Sequence, residues 1–269
     1  MAPQIAWSFE PSVIVFLLAI SLAYGRAWRR ARRPGEPHPP GYGRLALFTG
    51  GVLTVVVALI SPIDVLGSQL MFMHMIQHVL LLDVAPILFI LSLTKGILRP
   101  VTRQLTAFEE GAGLLAHPIF AVWLYVMVMA IWHVPAMYDL ALEHSGIHVL
   151  EHVCFGVAGG LYWWHLIGPI RGRLRRSGMA PVLYMVVTKL LVGVIGVVLA
   201  FSPHSIYPWY QHHPDYWGLK PAVDQNLAGV VMALEQSIVM GIAVVWLFVR
   251  MLIESEREQE RAERYEVTA

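Results

Sequence analysis

Apolar residues gather into seven runs, near residues 12–28, 44–60, 70–92, 118–133, 147–168, 181–201 and 227–251, separated by segments rich in proline, glycine or charge. A helix needs about 20 such residues to cross about 30 Å of hydrocarbon, and the runs are of that order. The pattern therefore predicts an all-α membrane protein, a bundle of seven transmembrane helices over residues 1–253, followed by a charged cytoplasmic tail over residues 254–269. The connections alternate in charge. Residues 26–44, 95–103, 171–176 and the stretch from 250 onward are basic or charged, whereas 61–70 and 134–146 carry no Lys or Arg and 202–226 carries only Lys220. Positive loops stay in the cytoplasm, so the expected topology has the N-terminus outside and the C-terminus inside. The run at residues 13–24 could pass for a signal-peptide core. Residues 1–11, however, hold no Lys or Arg, and Arg26, Arg29, Arg30, Arg32 and Arg33 all follow the run, an order that predicts a retained span.

Composition supports hydrocarbon as the solvent, with 57% hydrophobic and 14% charged residues against about 25% charged in soluble domains. The net charge of +1 rests on arginine clusters between the apolar runs. Those clusters read as topology signals, and nucleic acid is not an expected partner. Cys154 is the one cysteine, so no intramolecular disulfide can form.

Under this topology nine of the twelve histidines lie toward the outer face: His74, His78, His133, His144, His148, His152, His204, His212 and His213. Histidine inside a membrane needs a partner, a cavity or a metal, whereas loop residues such as His144, His212 and His213 also read as ordinary interfacial polar groups. In the third span, MFMHMIQHVLLLDVAPILFI, His74 and His78 stand four apart and share a helix face, with Met71 and Met75 on the same stripe. Imidazole with thioether suits Cu(I), although methionine is equally a core filler. The fifth span repeats the spacing with His148 and His152, and two such pairs at matched depth complete a site that neither helix forms alone. His133, in WHVP, is the natural extra ligand or supporting residue, and His204 a weaker one.

Four charges fall inside spans: Asp83, Glu151, Lys189 and Glu235. Lys189 and Glu235 sit near mid-membrane, where an ion pair or a proton relay would account for them. Asp83 lies deeper than His78 and five residues on, so it points elsewhere and serves to orient a ligand or accept a proton. His148 to His152 also reads H-x-x-E-H, the inverzincin pattern, in which Glu151 would be a general base beside zinc. Haem is disfavoured, because an i, i+4 histidine pair on one helix serves one metal better than two haem faces.

Four segments, MHMIQHVLL, WHVPAMYDLAL, HVLEHVCF…GGLYWW and DQNLAGVVM, together resemble the caa3-type cytochrome c oxidase assembly factor family, the CtaG-like seven-span bacterial membrane proteins. The resemblance covers essentially all seven spans. It implies that His74, His78, His133, His148 and His152 occupy the family's histidine positions and Asp224 its outer acidic position. It further implies a role in assembling terminal oxidase that involves copper, with no enzymatic activity of its own. After Trp163 and Trp164 the family would have proline, where this chain has His165.

The sequence thus points to an assembly factor of the bacterial plasma membrane. Copper, with zinc as the competing ion, is expected at His74, His78, His148, His152 and His133, with Met71, Met75, Asp83, Glu151, His204 and Asp224 as additional or supporting groups. Oxidase subunits with copper centres are the expected partners. A zinc-dependent intramembrane hydrolase acting through Glu151 and a proton or ion carrier using Asp83, Glu235 and Lys189 are the alternatives.

Overall fold

The computed structural model describes residues 1–36, 38–170 and 179–268, and the regular structure among them is helical throughout. The long helices are α1 (Pro11–Arg30), α2 (Tyr42–Leu59), α3 (Met71–Ser92), α4 (Pro118–Trp132), α5 (Ser145–Ile167), α6 (Ala180–Phe201) and α7, which starts at Pro221 and is apolar to Ile253. Five of these, α1, α2, α3, α6 and α7, are long and apolar enough to cross a membrane. A sixth crossing results if α4 and the short helix Pro135–Glu143, bent 74° from it, count as one broken span. Helix α5 has the length, 23 residues, but His148, Glu151, His152 and His165 dilute its apolar character. By length and composition, five or six of the seven expected spans are present.

Local chemistry explains where the helices begin. Proline occupies the first turn of α1, α4, α6, α7 and the Pro135–Glu143 helix, where its fixed φ fits and its missing N–H is not needed. Pro135 also explains the 74° break, since it disfavours helical geometry in the residue before it; α4 ends at Trp132 and leaves His133 at the bend. Two helices carry π-helical turns, Leu80–Val84 within α3 and Gln236–Met240 within α7. Such turns concentrate at functional sites. No apolar run marks residues 104–117, yet the structure places a helix at Thr102–Gly111. The last helix continues through the charged residues to Thr268.

Helix α6 shows how the bundle meets its solvent. Met185, Thr188, Val192, Gly196 and Leu199 are buried, while Leu183, Leu190, Val194, Val197 and Phe201 point outward and are exposed. An outer surface this apolar suits hydrocarbon. The main core joins α3 through α7, and α1 and α2 pack against the second half of α3 in two smaller clusters. Two glycines permit backbone contact between helices. A Cβ on Gly159 would collide with the Leu82 carbonyl, and one on Gly229 with the backbone of Ala200. Glycine therefore sets how closely α5 approaches α3 and α7 approaches α6.

Hydrogen bonds sort the connections into two faces. At one, Met1 bonds Asp215 and Trp217, Gln4 bonds Gln69, Tyr207 bonds the His133 carbonyl, and Tyr210 bonds the Gly67 carbonyl. At the other, Arg32 donates to Pro40, Arg44 to Leu91, and Arg99 to Glu36. These groups coincide with the arginine-poor and arginine-rich loops of the sequence. The basic run at residues 171–176 lies outside the described residues.

Candidate metal centre

Helices α3 and α5 start at the arginine-poor face and run in the same direction. Their histidines therefore stay in step. The His74 ring lies 5.4 Å from that of His148, and the His78 ring 6.1 Å from that of His152, by centroids. Further along, Leu82 meets Gly159. Within each helix the i, i+4 rings are 4.2 Å apart. Four imidazoles so form a rectangle between two helices.

Glu151 occupies the middle of that rectangle, one turn after His148 and beside His152 on the same face of α5. Its Oε2 is 3.7 Å from His74 Nε2 and its Oε1 is 3.4 Å from His78 Nε2. Two groups of candidate ligand atoms result, His74 with His148 and Glu151, and His78 with His152 and Glu151, each within 4.8 Å of one another. The carboxylate is fully buried, and His74 and His78 are nearly so, at 1% and 3% exposure. Among the described residues, both ring nitrogens of His74 and His78, Nε2 of His148 and His152, and both Glu151 oxygens find no hydrogen-bond partner. Buried polar atoms without partners are costly, so so dense a set of them marks a place for a ligand. The residues fit a metal.

Surrounding groups hold the arrangement. His133 Nδ1 donates to the Met129 carbonyl at 2.7 Å, which leaves its buried Nε2 as an unpartnered acceptor. Its ring is 6.2 Å from that of His78. Asp224, from the first turn of α7, reaches the start of α3 and accepts the N–H groups of Met71 at 2.6 Å and Phe72 at 3.1 Å. Leu70 supplies no side-chain cap there, so a carboxylate from another helix satisfies those donors and favours the helix dipole. Over the top, the Tyr138 ring sits 5.0 Å from His74 and 4.4 Å from Tyr207. Tyr138 bonds Tyr210, whose hydroxyl donates to Gly67 at 2.7 Å, and Tyr207 donates to the His133 carbonyl at 2.9 Å. Burial pushes the Tyr207 and Tyr210 phenols above their ordinary value, so both remain donors.

The sequence model of the cytochrome c oxidase caa3 assembly factor family matches residues 22–254. The chain belongs to that family. It is also similar to an uncharacterized protein of Mycobacterium leprae, 21% identical over 277 residues, covering 96% of this chain and 41% of that protein. Uncharacterized proteins of Mycobacterium bovis and Mycobacterium tuberculosis are each 22% identical over 279 residues, with the same coverage. The chain therefore spans about two fifths of the length of these relatives. No solved structure matches it.

In this family member the expected site residues fall into three sets. His74, His78, His148 and His152 come together, with His133 alongside. Glu151, expected as a supporting group or base, instead stands between the two pairs at ligand distance. Asp224 positions α3, and His204 is exposed, outside both groups of candidate ligand atoms, with its carbonyl accepting from Ser202 and Gln225. His144 is exposed, and His212 and His213 bond the carbonyls of Pro208 and Trp209.

Met75 lines a cavity of about 20 Å³ with His78 and His133, while Met71 is buried in the main core. Asp83 and Glu235 line the same cavity from its other end. Asp83 accepts Trp163 Nε1 at 2.7 Å and Tyr125 Oη at 3.0 Å, so it is held by aromatic donors rather than by a histidine. Lys189 and Glu235 form no ion pair within 4.0 Å among the described residues, so of the two readings of these mid-membrane charges, ion pair or proton relay, the direct pair is not found. Helical depth fixes height in the bilayer but not azimuth, and Glu235 turns inward to the cavity.

The tyrosine cover and Asp64, whose Oδ1 accepts the Gln77 amide at 2.7 Å, were not singled out by sequence. The signal was present in the aromatic residues beside Pro135 and Pro208, in the loops expected at the histidine-bearing face.

Proposed function

We propose that this chain is an assembly factor for a caa3-type cytochrome c oxidase that holds copper between α3 and α5 and passes it to an oxidase subunit bearing a copper centre. The observation that carries this reading is the pairing of His74 with His148 and His78 with His152 around Glu151, with their metal-facing nitrogens unpartnered. Imidazole is a good copper ligand, and two helices supplying two each give a site that is formed only in the folded bundle. Copper here is cargo. Membership in the assembly-factor family supports the destination.

In this reading all seven long helices cross the bacterial plasma membrane, the first residues lie outside, and the histidine end of the bundle opens toward the compartment where the oxidase receives its copper. The two-face sorting of arginine-rich and arginine-poor loops supports that orientation. Glu151 stands inside the ligand groups, which favours a ligand over the base of a zinc hydrolase. The alternative of a proton or ion carrier has Asp83 and Glu235 at one cavity, but without Lys189 paired to either.

The test is anaerobic titration of the purified protein with Cu(I) and separately with Zn(II), in the wild type and in His74→Ala/His78→Ala, alongside oxidase activity of cells carrying each form. Copper uptake by the wild type, lost in the variant together with copper-dependent oxidase activity, is the expected result. A protein that takes up neither metal overturns the proposal.

A further inference from the structure

We infer that the site holds two copper ions rather than one, with Glu151 shared between them. This deepens the copper reading above and rests on it. The candidate ligands divide into two triads that have only Glu151 in common: His74 and His148 on the outer side, His78 and His152 one helical turn deeper. Because α3 and α5 run in the same direction, each triad takes one histidine from each helix. The two oxygens of the carboxylate are also divided, Oε2 toward His74 and Oε1 toward His78. A single ion would use one triad and leave the other triad's two imidazoles unpartnered, the one from α3 fully buried, at a cost in desolvation.

Charge selects the ions. Glu151, itself fully buried, brings one negative charge between the two histidine pairs, of which His74 and His78 are buried and His148 and His152 half-buried. Asp64, in the short helix Pro62–Gly67 at the outer side, accepts a hydrogen bond from Gln77 of the helix that carries His74 and His78, at 2.7 Å. Asp83 and Glu235 line the cavity beyond His78 and belong to neither triad, so Glu151 and Asp64 are the carboxylates counted at the triads; two of them balance two monovalent ions, whereas two divalent ions would leave an uncompensated double charge there, which is strongly unfavourable. Cu(I) is the biological ion that is monovalent and takes imidazole ligands. His133, whose ring centre is 6.2 Å from that of His78 and whose buried Nε2 has no partner, is the next imidazole beside the deeper triad.

The experiment is a stoichiometry. Detergent-purified full chain is titrated anaerobically with Cu(I) against a chromogenic Cu(I) chelator, and in parallel with Zn(II), with bound metal counted by elemental analysis. The wild type is expected to hold two equivalents of Cu(I) and at most one of Zn(II). His74→Ala/His148→Ala and His78→Ala/His152→Ala are each expected to hold one, and Glu151→Gln to weaken the second equivalent by more than tenfold. One Cu(I) equivalent in the wild type overturns the two-ion inference and leaves the copper reading standing; two equivalents of Zn(II) overturn its charge argument. No uptake of either metal overturns the copper reading itself. The wild-type count needs no variant to fold.

Discussion

Asp224 caps Met71: a carboxylate on α7 accepts the first free N–H of the helix that carries His74 and His78, across 153 positions of sequence. The ligand helix is thus anchored to the far end of the chain. Asp224→Ala should cost about 0.5–2 kcal/mol of stability, the range for losing a helix cap, and lower Cu(I) affinity severalfold while leaving stoichiometry unchanged. Thermal melts in detergent with chelator-competition titrations check both, and Asp224→Asn should recover part of the loss because its carbonyl still accepts one N–H.

Gly159 is a point of close approach between the two ligand helices. A methyl group there meets the Leu82 carbonyl, so Gly159→Ala must push α5 from α3, at about 1–3 kcal/mol for overpacking. Copper binding should fall with stability, because each histidine pair spans those helices. Gly160→Ala is the control, since its added Cβ meets nothing within 4 Å, and its melting temperature and copper uptake should match the wild type.

Asp83 accepts from Trp163 and Tyr125, so in the copper reading it serves the bundle rather than the metal. Asp83→Leu strands the buried Trp163 and Tyr125 donors, at about 1–3 kcal/mol for each unsatisfied group. Asp83→Asn, which keeps one acceptor, should melt closer to the wild type. Both variants should retain the wild-type copper stoichiometry. A loss of copper from folded Asp83→Asn would place this carboxylate in the site after all.

In the copper reading the tyrosine cover limits access to the site. Tyr210→Phe removes the bond to Gly67 and the partner of Tyr138, a loss of about 1 kcal/mol. The expected result is faster stripping of bound Cu(I) by a chelator at nearly unchanged affinity, followed by stopped-flow absorbance. Equal stripping rates would show that the cover does not gate the site.

The sequence by itself determined the helical class, the positions of all seven long helices to within a few residues except the start of the last, and the two histidine pairs. Each of those is written in local periodicity: runs of apolar residues set span length, and a spacing of four sets a shared face. The sorting of loops into two faces was legible for the same reason, since arginine content is local. What only the tertiary structure decided depends on azimuth and on contacts between distant segments. Spacing alone could rank Glu151 as a base or a supporting acid. Its central place follows from α3 and α5 running in the same direction, with Gly159 letting them approach. Depth suggested a Lys189–Glu235 pair, but rotation of α7 turns Glu235 toward the cavity that Asp83 also lines. Asp224 was legible as an outer acid by resemblance, yet its task of capping Met71 appears only when α7 is brought against α3, because a helix end has no sequence record of which distant carboxylate will satisfy it.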